Sequence, residues 1–586
     1  MKKFLTIIAV LLAMLLLIVA CDADDGGDVT SPPPTNGDAT DTTPTEPGEL
    51  GDDNGGTAAL TDLSALGDWF SPMSEPITLR IGAGFGLAEG DVPPGTTPEN
   101  MMLNELLAEF FDIHLEWMWA VPDEQAEERL QLALATGDVP DIIALEEIDF
   151  FELAGFDQLR DLHPAMDRYL LPEIRDMYRY FNDVPLDISS VGGELLSIPH
   201  VVDSFQFMPL IWYRYDWTTE LGISEPTNLD EFVAMLQAFA ENEMGGPNTV
   251  PLSMQNTPVF WGPDGRAIFQ GYGAYPETWI NRGGELVFGT VQPETQRALL
   301  RLRQMYADGL MNPEFAVMNM DMVAEEIVDD RVGAISGEWW LPNWPLNSHL
   351  EANPDAIWRG MPILTPDGSS GVVSIPRNNI HHYHVVTANA PPGTEEALMK
   401  IINLRWAIDY WPNAEELFGS RILPESGYVY NWGPGRVILA HEQYVNFVAL
   451  REAIATGNTD HFTSSQQDDL WLAYQIMEQG YVSDEMTSAT AWGLHVSRVA
   501  EGGGWETNMH IRDNNLFIFD EFYGEPTPTE ITRFTILHDM WLEFYVNFVM
   551  GLIPESAWYD FVDDWNNLGG ADWTEEVNQQ FRNLPS

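Results

Sequence analysis

Lysine is almost missing from this 586-residue chain: it stands at positions 2, 3 and 400 only. Arginine supplies the remaining cations, and Lys and Arg together number 26 against 91 Asp and Glu, a formal net charge of −65. A field of that sign repels nucleic acid and anionic lipid surfaces, which excludes both as partners. Acid-rich, lysine-poor surfaces stay solvated in high salt, and arginine keeps its charge at alkaline pH where lysine begins to lose it, so the composition predicts a salty or alkaline milieu. Cysteine occurs once, at Cys21, so no disulfide can form within the chain.

Several catalytic patterns are also missing. No G-x-S-x-G elbow is present, and His441-Glu442-Gln443-Tyr444-Val445 opens like a zinc-protease helix but lacks the second histidine. Gly82-Ala83-Gly84-Phe85-Gly86 follows a strand with neither the dinucleotide nor the triphosphate spacing. His381-His382-Tyr383-His384 places His382 and His384 on one strand face, and two ligands do not make a metal site. Pairs such as Glu146-Glu147 and Asp563-Asp564 are expected by chance among so many acids and do not define a glycosidase. Neither a cofactor nor a metal is expected.

What is there begins with Met1-Lys2-Lys3, an apolar run from Phe4 to Ala20, and Ile18-Val19-Ala20-Cys21. A positive start, a short apolar core and a small residue before the cut describe an export signal rather than a spanning helix. Its end resembles the lipobox of bacterial lipoproteins, in which Cys21 is lipidated and becomes the mature N-terminus. From Asp22 to about Asp68 the chain turns to Asp, Gly, Thr and Pro, with Ser31-Pro32-Pro33-Pro34 inside. Such a segment has too little apolar surface to offset its chain entropy and reads as a tether.

About 510 residues remain, enough for two lobes. Ile77–Ile81 alternates as a strand, Met101–Phe111 has helical spacing, Ile113–Trp119 alternates again, and Asp123–Thr136 is a helix closed by Gly137. Ile142–Leu145 then reads as a buried strand. This β-α-β-α-β order predicts an open, mainly parallel sheet whose ligands sit beyond the carboxyl ends of its strands, where Glu146 follows. Thr227 and Asp230 are expected to cap a helix whose core stripe is Phe232, Met235, Leu236 and Phe239. Val332–Gly337 reads as a short buried strand that delivers Glu338, Trp339 and Trp340 to a loop. Indole faces stack on pyranose rings and carboxylates accept from their hydroxyls, so that loop suits a sugar; core packing is the plainer use of two tryptophans.

Four stretches together carry a resemblance: Gly137-Asp138-Val139-Pro140-Asp141-Ile142-Ile143, Glu225-Pro226-Thr227-Asn228-Leu229-Asp230-Glu231-Phe232, Tyr306-Ala307-Asp308-Gly309-Leu310-Met311-Asn312-Pro313, and Gly333 to Trp340. With Asp563–Gly570 in the tail, they resemble the extracellular solute-binding proteins of carbohydrate ABC transporters, in the large lipoprotein branch of Gram-positive bacteria. The resemblance implies an α/β, two-lobe periplasmic-binding-protein-like fold of type II, with hinge strands and extra C-terminal helices. It divides the chain into a signal (1–20), a tether (21–70), a first lobe (71–205) and a second lobe (206–366). A return to the first lobe (367–440) follows, and then 441–586 with the second lobe's remainder and the terminal helices. It places Phe85, Glu146, Asp203, Gln255, Trp261, Glu338, Trp339 and Trp340 around a cleft. The protein implied is a monomeric, membrane-anchored receptor on the outer face of the cytoplasmic membrane, which hands an oligosaccharide to a permease and is not an enzyme. Some relatives carry a calcium loop after the capped helix; Glu241–Asn248 lacks its spaced oxygen ligands, so none is expected. An extracellular carbohydrate-active enzyme, or a receptor for a peptide or other polar solute, are the alternatives.

Overall fold

The structure, a computed structural model, describes residues 63–85, 97–181, 183–259, 262–376, 380–411, 414–418, 435–483 and 486–582. The export signal, Cys21, most of the tether and Trp261 lie outside those residues.

Among the described residues, nine strands make the two larger sheets: β1 (Ile77–Phe85), β2 (Ile113–Pro122), β3 (Ile142–Leu145), β4 (Ile198–Val201), β5 (Leu210–Arg214), β6 (Val250–Leu252), β7 (Val332–Gly337), β8 (Trp358–Met361) and β9 (Ile380–Val386). The first sheet runs β2-β1-β3-β9-β4, with β1 parallel to β2 and β3, and β9 antiparallel to β3 and β4. Helices Met102–Phe111 and Asp123–Thr136 make the crossovers, as the sequence pattern requires. Alternation in β1 buries Ile77, Leu79 and Ile81 on one face, and each buried aliphatic side chain contributes about 1.5–3 kcal/mol. Met102, Leu103, Leu106, Leu107 and Phe111 pack against them from the first helix, which stops where Asp112 turns left-handed at φ 57°.

The second sheet runs β8-β5-β7-β6. Its central strand is β7, buried along its whole length, antiparallel to β5 and parallel to β6. Helix Leu229–Glu241 covers one face with Phe232, Met235, Leu236 and Phe239. Its cap is one residue later than expected. Asn228 accepts from the Glu231 amide at 2.9 Å, while Glu231 reaches back to the Thr227 amide and hydroxyl, both at 2.8 Å. Asp230 instead pairs with Arg301 at 2.7 Å, because capping depends on where the chain turns and not on residue type alone. The C-terminal helices Pro528–Val549, Ala557–Trp565 and Ala571–Phe581 complete this second core with Trp541, Tyr545, Phe548, Trp565 and Trp573.

The chain passes between the two cores after β4, before β9 and again beyond residue 440, and a ligand can touch both near such passages. Residues 202–209 link the end of β4 to the start of β5, and the chain returns to the first sheet at β9.

Candidate functional site

Strand polarity gathers the candidate residues at the crossing. Phe85, Glu146 and Asp203 follow or close the carboxyl ends of β1, β3 and β4, and His381 and His382 lie at the amino end of antiparallel β9. On the second sheet, Gln255 follows the carboxyl end of β6 and Glu338 that of β7, while the Asp203 segment enters the amino end of β5. These are the edges where open α/β sheets take ligands.

Asp203 is the hub. It is buried, accepts from the Phe205 amide at 3.0 Å, and its own amide donates to the Ala440 carbonyl at 3.0 Å. Burial pushes its carboxyl up to about 6, against the opposing pull of the Phe205 amide and the Arg512 charge. Half-buried aromatic rings stand around it. Arg512 lies 5.3 Å from the Phe205 ring and 4.6 Å from the Tyr444 ring, and Tyr180 stacks on His441 at 4.4 Å. Tyr180 closes a helix packed in the first core, whereas Phe205 and Tyr444 pack against the second. Rings with exposed edges, one acid and one guanidinium make an amphipathic lining drawn from both cores. Sequence reading singled out Asp203 alone from this group; the rings come from three separate stretches, and Arg512 from a fourth, that only the fold unites.

The loop after β7 is built differently from the expectation. Glu338 is fully buried: one oxygen pairs with Arg266 and the other accepts from the Gly262 amide at 3.0 Å. Arg266 is held in turn by Asp264 and donates to the Phe207 carbonyl at 3.2 Å. Glu338 thus fastens the 262–266 turn and the 203–207 crossing to β7, and its oxygens face protein and not solvent. Trp339 is 4% exposed, packs edge-on against Trp505 at 5.8 Å and lies under Arg498 at 4.6 Å, which is the plainer, core use of an indole. Trp340 is half-buried against the same core. Gln255 is buried beside Gly262, and its amide donates to the Pro263 carbonyl at 2.9 Å. Of Phe85 the structure gives the backbone, which ends β1 opposite Pro122.

Glu146 stands at the histidine corner. Its carboxylate lies 3.4 Å from His382 Nε2; desolvation raises its pKa, but the hydrogen bond and charge of His382, with the charge of His381, hold it below the ordinary value. His384 does not share a site with His382. It accepts from the Gly435 amide at 3.2 Å and donates to the Arg436 carbonyl at 2.8 Å, which fixes a neutral ring, and burial lowers it to about 3. In its place the structure supplies His200, which faces His382 across the β4–β9 pair, and His381. In the sequence His381 and His382 stand in one run, but nothing there says that His200 joins them, because that depends on which strand pairs with β4.

A separate surface cavity of 690 Å³ is lined by Pro247, Tyr306, Asn312, Glu326 and Arg331. It borders the amino ends of β6 and β7, the end of the second sheet away from Glu338, and does not belong to this site.

Among solved structures, the alginate-binding protein AlgQ2 superposes with a TM-score of 0.61 at 13% identity, over 87% of this chain and 99% of its own. The substrate-binding protein FusA of S. pneumoniae, in complex with kestose, gives 0.60 at 14% identity over 86% and 99%. The fold is that of a solute-binding protein. In sequence, this chain with the solute-binding-protein fold is 24% identical to lipoprotein LipO of Bacillus subtilis over 488 residues, which is 80% of this chain and 86% of LipO. The match to the fructooligosaccharide ABC transporter substrate-binding protein FusA of Streptococcus pneumoniae is 23% over 200 residues, 32% of this chain and 36% of FusA. No family model matches the chain. By name, AlgQ2 is an alginate-binding protein and FusA the substrate-binding protein of a fructooligosaccharide ABC transporter. Among the described residues no helix is long and apolar enough to cross a membrane.

Proposed function

We propose that this chain is an extracellular receptor that takes an oligosaccharide between its two lobes and presents it to an ABC importer without changing it. The observation that carries this reading is the lining at the crossing: Tyr180 from the first core, Phe205 and Tyr444 from the second, with Asp203 and Arg512 between them. A solute touching both sides favours the closed arrangement over the open one, and that difference is what a permease can read. The oligosaccharide ligands of the named relatives support the same class of solute. Cys21 would carry the lipid that holds the receptor at the membrane, in keeping with the lipoprotein relative. Isothermal titration of the full chain with a panel of neutral and acidic oligosaccharides, with the sugar analysed afterwards, tests the proposal. Saturable binding of one class with the sugar recovered intact is expected. New reducing ends would turn the reading to a glycosidase or lyase, and binding of peptides uncompeted by sugars to a different solute.

A further inference from the structure

We propose that His200, His381 and His382 form a site for a divalent transition cation of the zinc class, with Glu146 orienting one of the rings. The local geometry originates in a bulge. In the antiparallel pair of β4 and β9, Val201 opposes Ile380 and His200 opposes His382, so two residues of β9 span one step of β4 and His381 is the extra one. A bulge of this kind breaks the alternation of faces and turns neighbouring side chains to the same side. The result is three imidazoles in one place, with centroids 5.6 Å apart for His200 and His381, 6.0 Å for His200 and His382, and 4.4 Å for His381 and His382. One ring nitrogen from each lies within 4.8 Å of the others.

Three details point to a cation and not to simple packing. The Nδ1 atoms of His381 and His382 face each other at 3.1 Å, and ligand nitrogens about 2.0–2.1 Å from a tetrahedral zinc are about 3.3 Å apart. His382 Nε2 meets the Glu146 carboxylate at 3.4 Å, which leaves Nδ1 with its lone pair toward His381, the arrangement in which a carboxylate fixes the tautomer of a metal-bound histidine. His200 is 6% exposed and its Nε2 has no hydrogen-bond partner. A hydrogen bond between His381 and His382 would satisfy those two and leave His200 orphaned; a cation satisfies all three. Arg436 is the cation whose charge acts on His200 and His381, and it is offset by Asp409. His381 is exposed, so an ion can enter, and three protein nitrogens leave a fourth position open to water or to a ligand oxygen from the cleft side.

The test is a titration of the chelator-stripped full chain with Co²⁺, read by visible absorption, followed by displacement with Zn²⁺. One equivalent with a tetrahedral-type spectrum is expected. His381→Ala and His382→Ala, which alter an exposed and a half-buried ring, should each weaken binding by at least tenfold and keep the melting temperature of the stripped protein. Glu146→Gln should weaken it by about tenfold through His382. Absence of the spectrum, or binding unchanged in the histidine variants because the acidic surface takes the ion, overturns the proposal.

Discussion

Glu338 illustrates how a single residue can be placed correctly and still do something the sequence does not reveal. It follows a buried strand beside two indoles, as read, but its partner Arg266 lies 72 positions away and a local motif cannot display it. Burying a carboxylate without such a partner would be prohibitive, so the pair explains the burial. Glu338→Ala leaves Arg266 with Asp264 alone in a dry site, and removing one side of a buried ion pair costs about 3–5 kcal/mol. Urea denaturation should show that loss. Unchanged stability together with lost sugar affinity would instead assign Glu338 to the ligand. Trp339→Ala should cost about 3–5 kcal/mol by emptying the space against Trp505. By the same logic Arg214, one of few cations, is held by Asp216 and Asp330 and stacked on Trp217, which makes it a structural residue.

At the scale of elements, β7 depends on having little side-chain volume. A Cβ on Gly337 would lie 2.7 Å from Leu341 Cδ1 and 2.8 Å from the Gly262 carbonyl oxygen, so Ala there must displace the turn that Glu338 fastens. Gly337→Ala is expected to destabilise by about 1–3 kcal/mol, as overpacking does. A melting temperature equal to that of the parent protein would show that the turn yields freely. Much of this level was legible. Period-two alternation gave β1, helical spacing gave the stripe from Phe232 to Phe239, and an apolar β-branched run gave β7, because each pattern is set by a local face toward a core. The bulge at His381 was not, since it arises from the register of β9 against β4. Nor was the aromatic lining at Asp203, whose members are brought together by the crossing of the chain from one core to the other.

For the whole molecule the excess of acid has two consequences. Burial raises Asp203 to about 6, Asp520 to about 7 and Glu442 to about 7. An acid whose pKa is higher folded than unfolded binds its proton more tightly in the native state. Its contribution is therefore full below the unfolded pKa near 4 and is lost as pH rises to the folded value. The melting temperature should fall by several degrees between pH 5 and pH 8, and repulsion among the surface acids acts in the same direction. A melting temperature that rises over this interval would contradict these assignments and favour an alkaline habitat. Added sodium chloride should raise it at pH 8 by screening that repulsion, as the lysine-poor surface predicts.

Closure of the two lobes on an oligosaccharide can be read by small-angle X-ray scattering of the full chain with and without sugars that bind in titration. A smaller radius of gyration is expected at saturation, with a rise in melting temperature of the same concentration dependence, since ligand at about 100 times its dissociation constant adds roughly 2.7 kcal/mol. A bound, intact sugar that leaves the radius of gyration unchanged would contradict closure as the signal to the transporter.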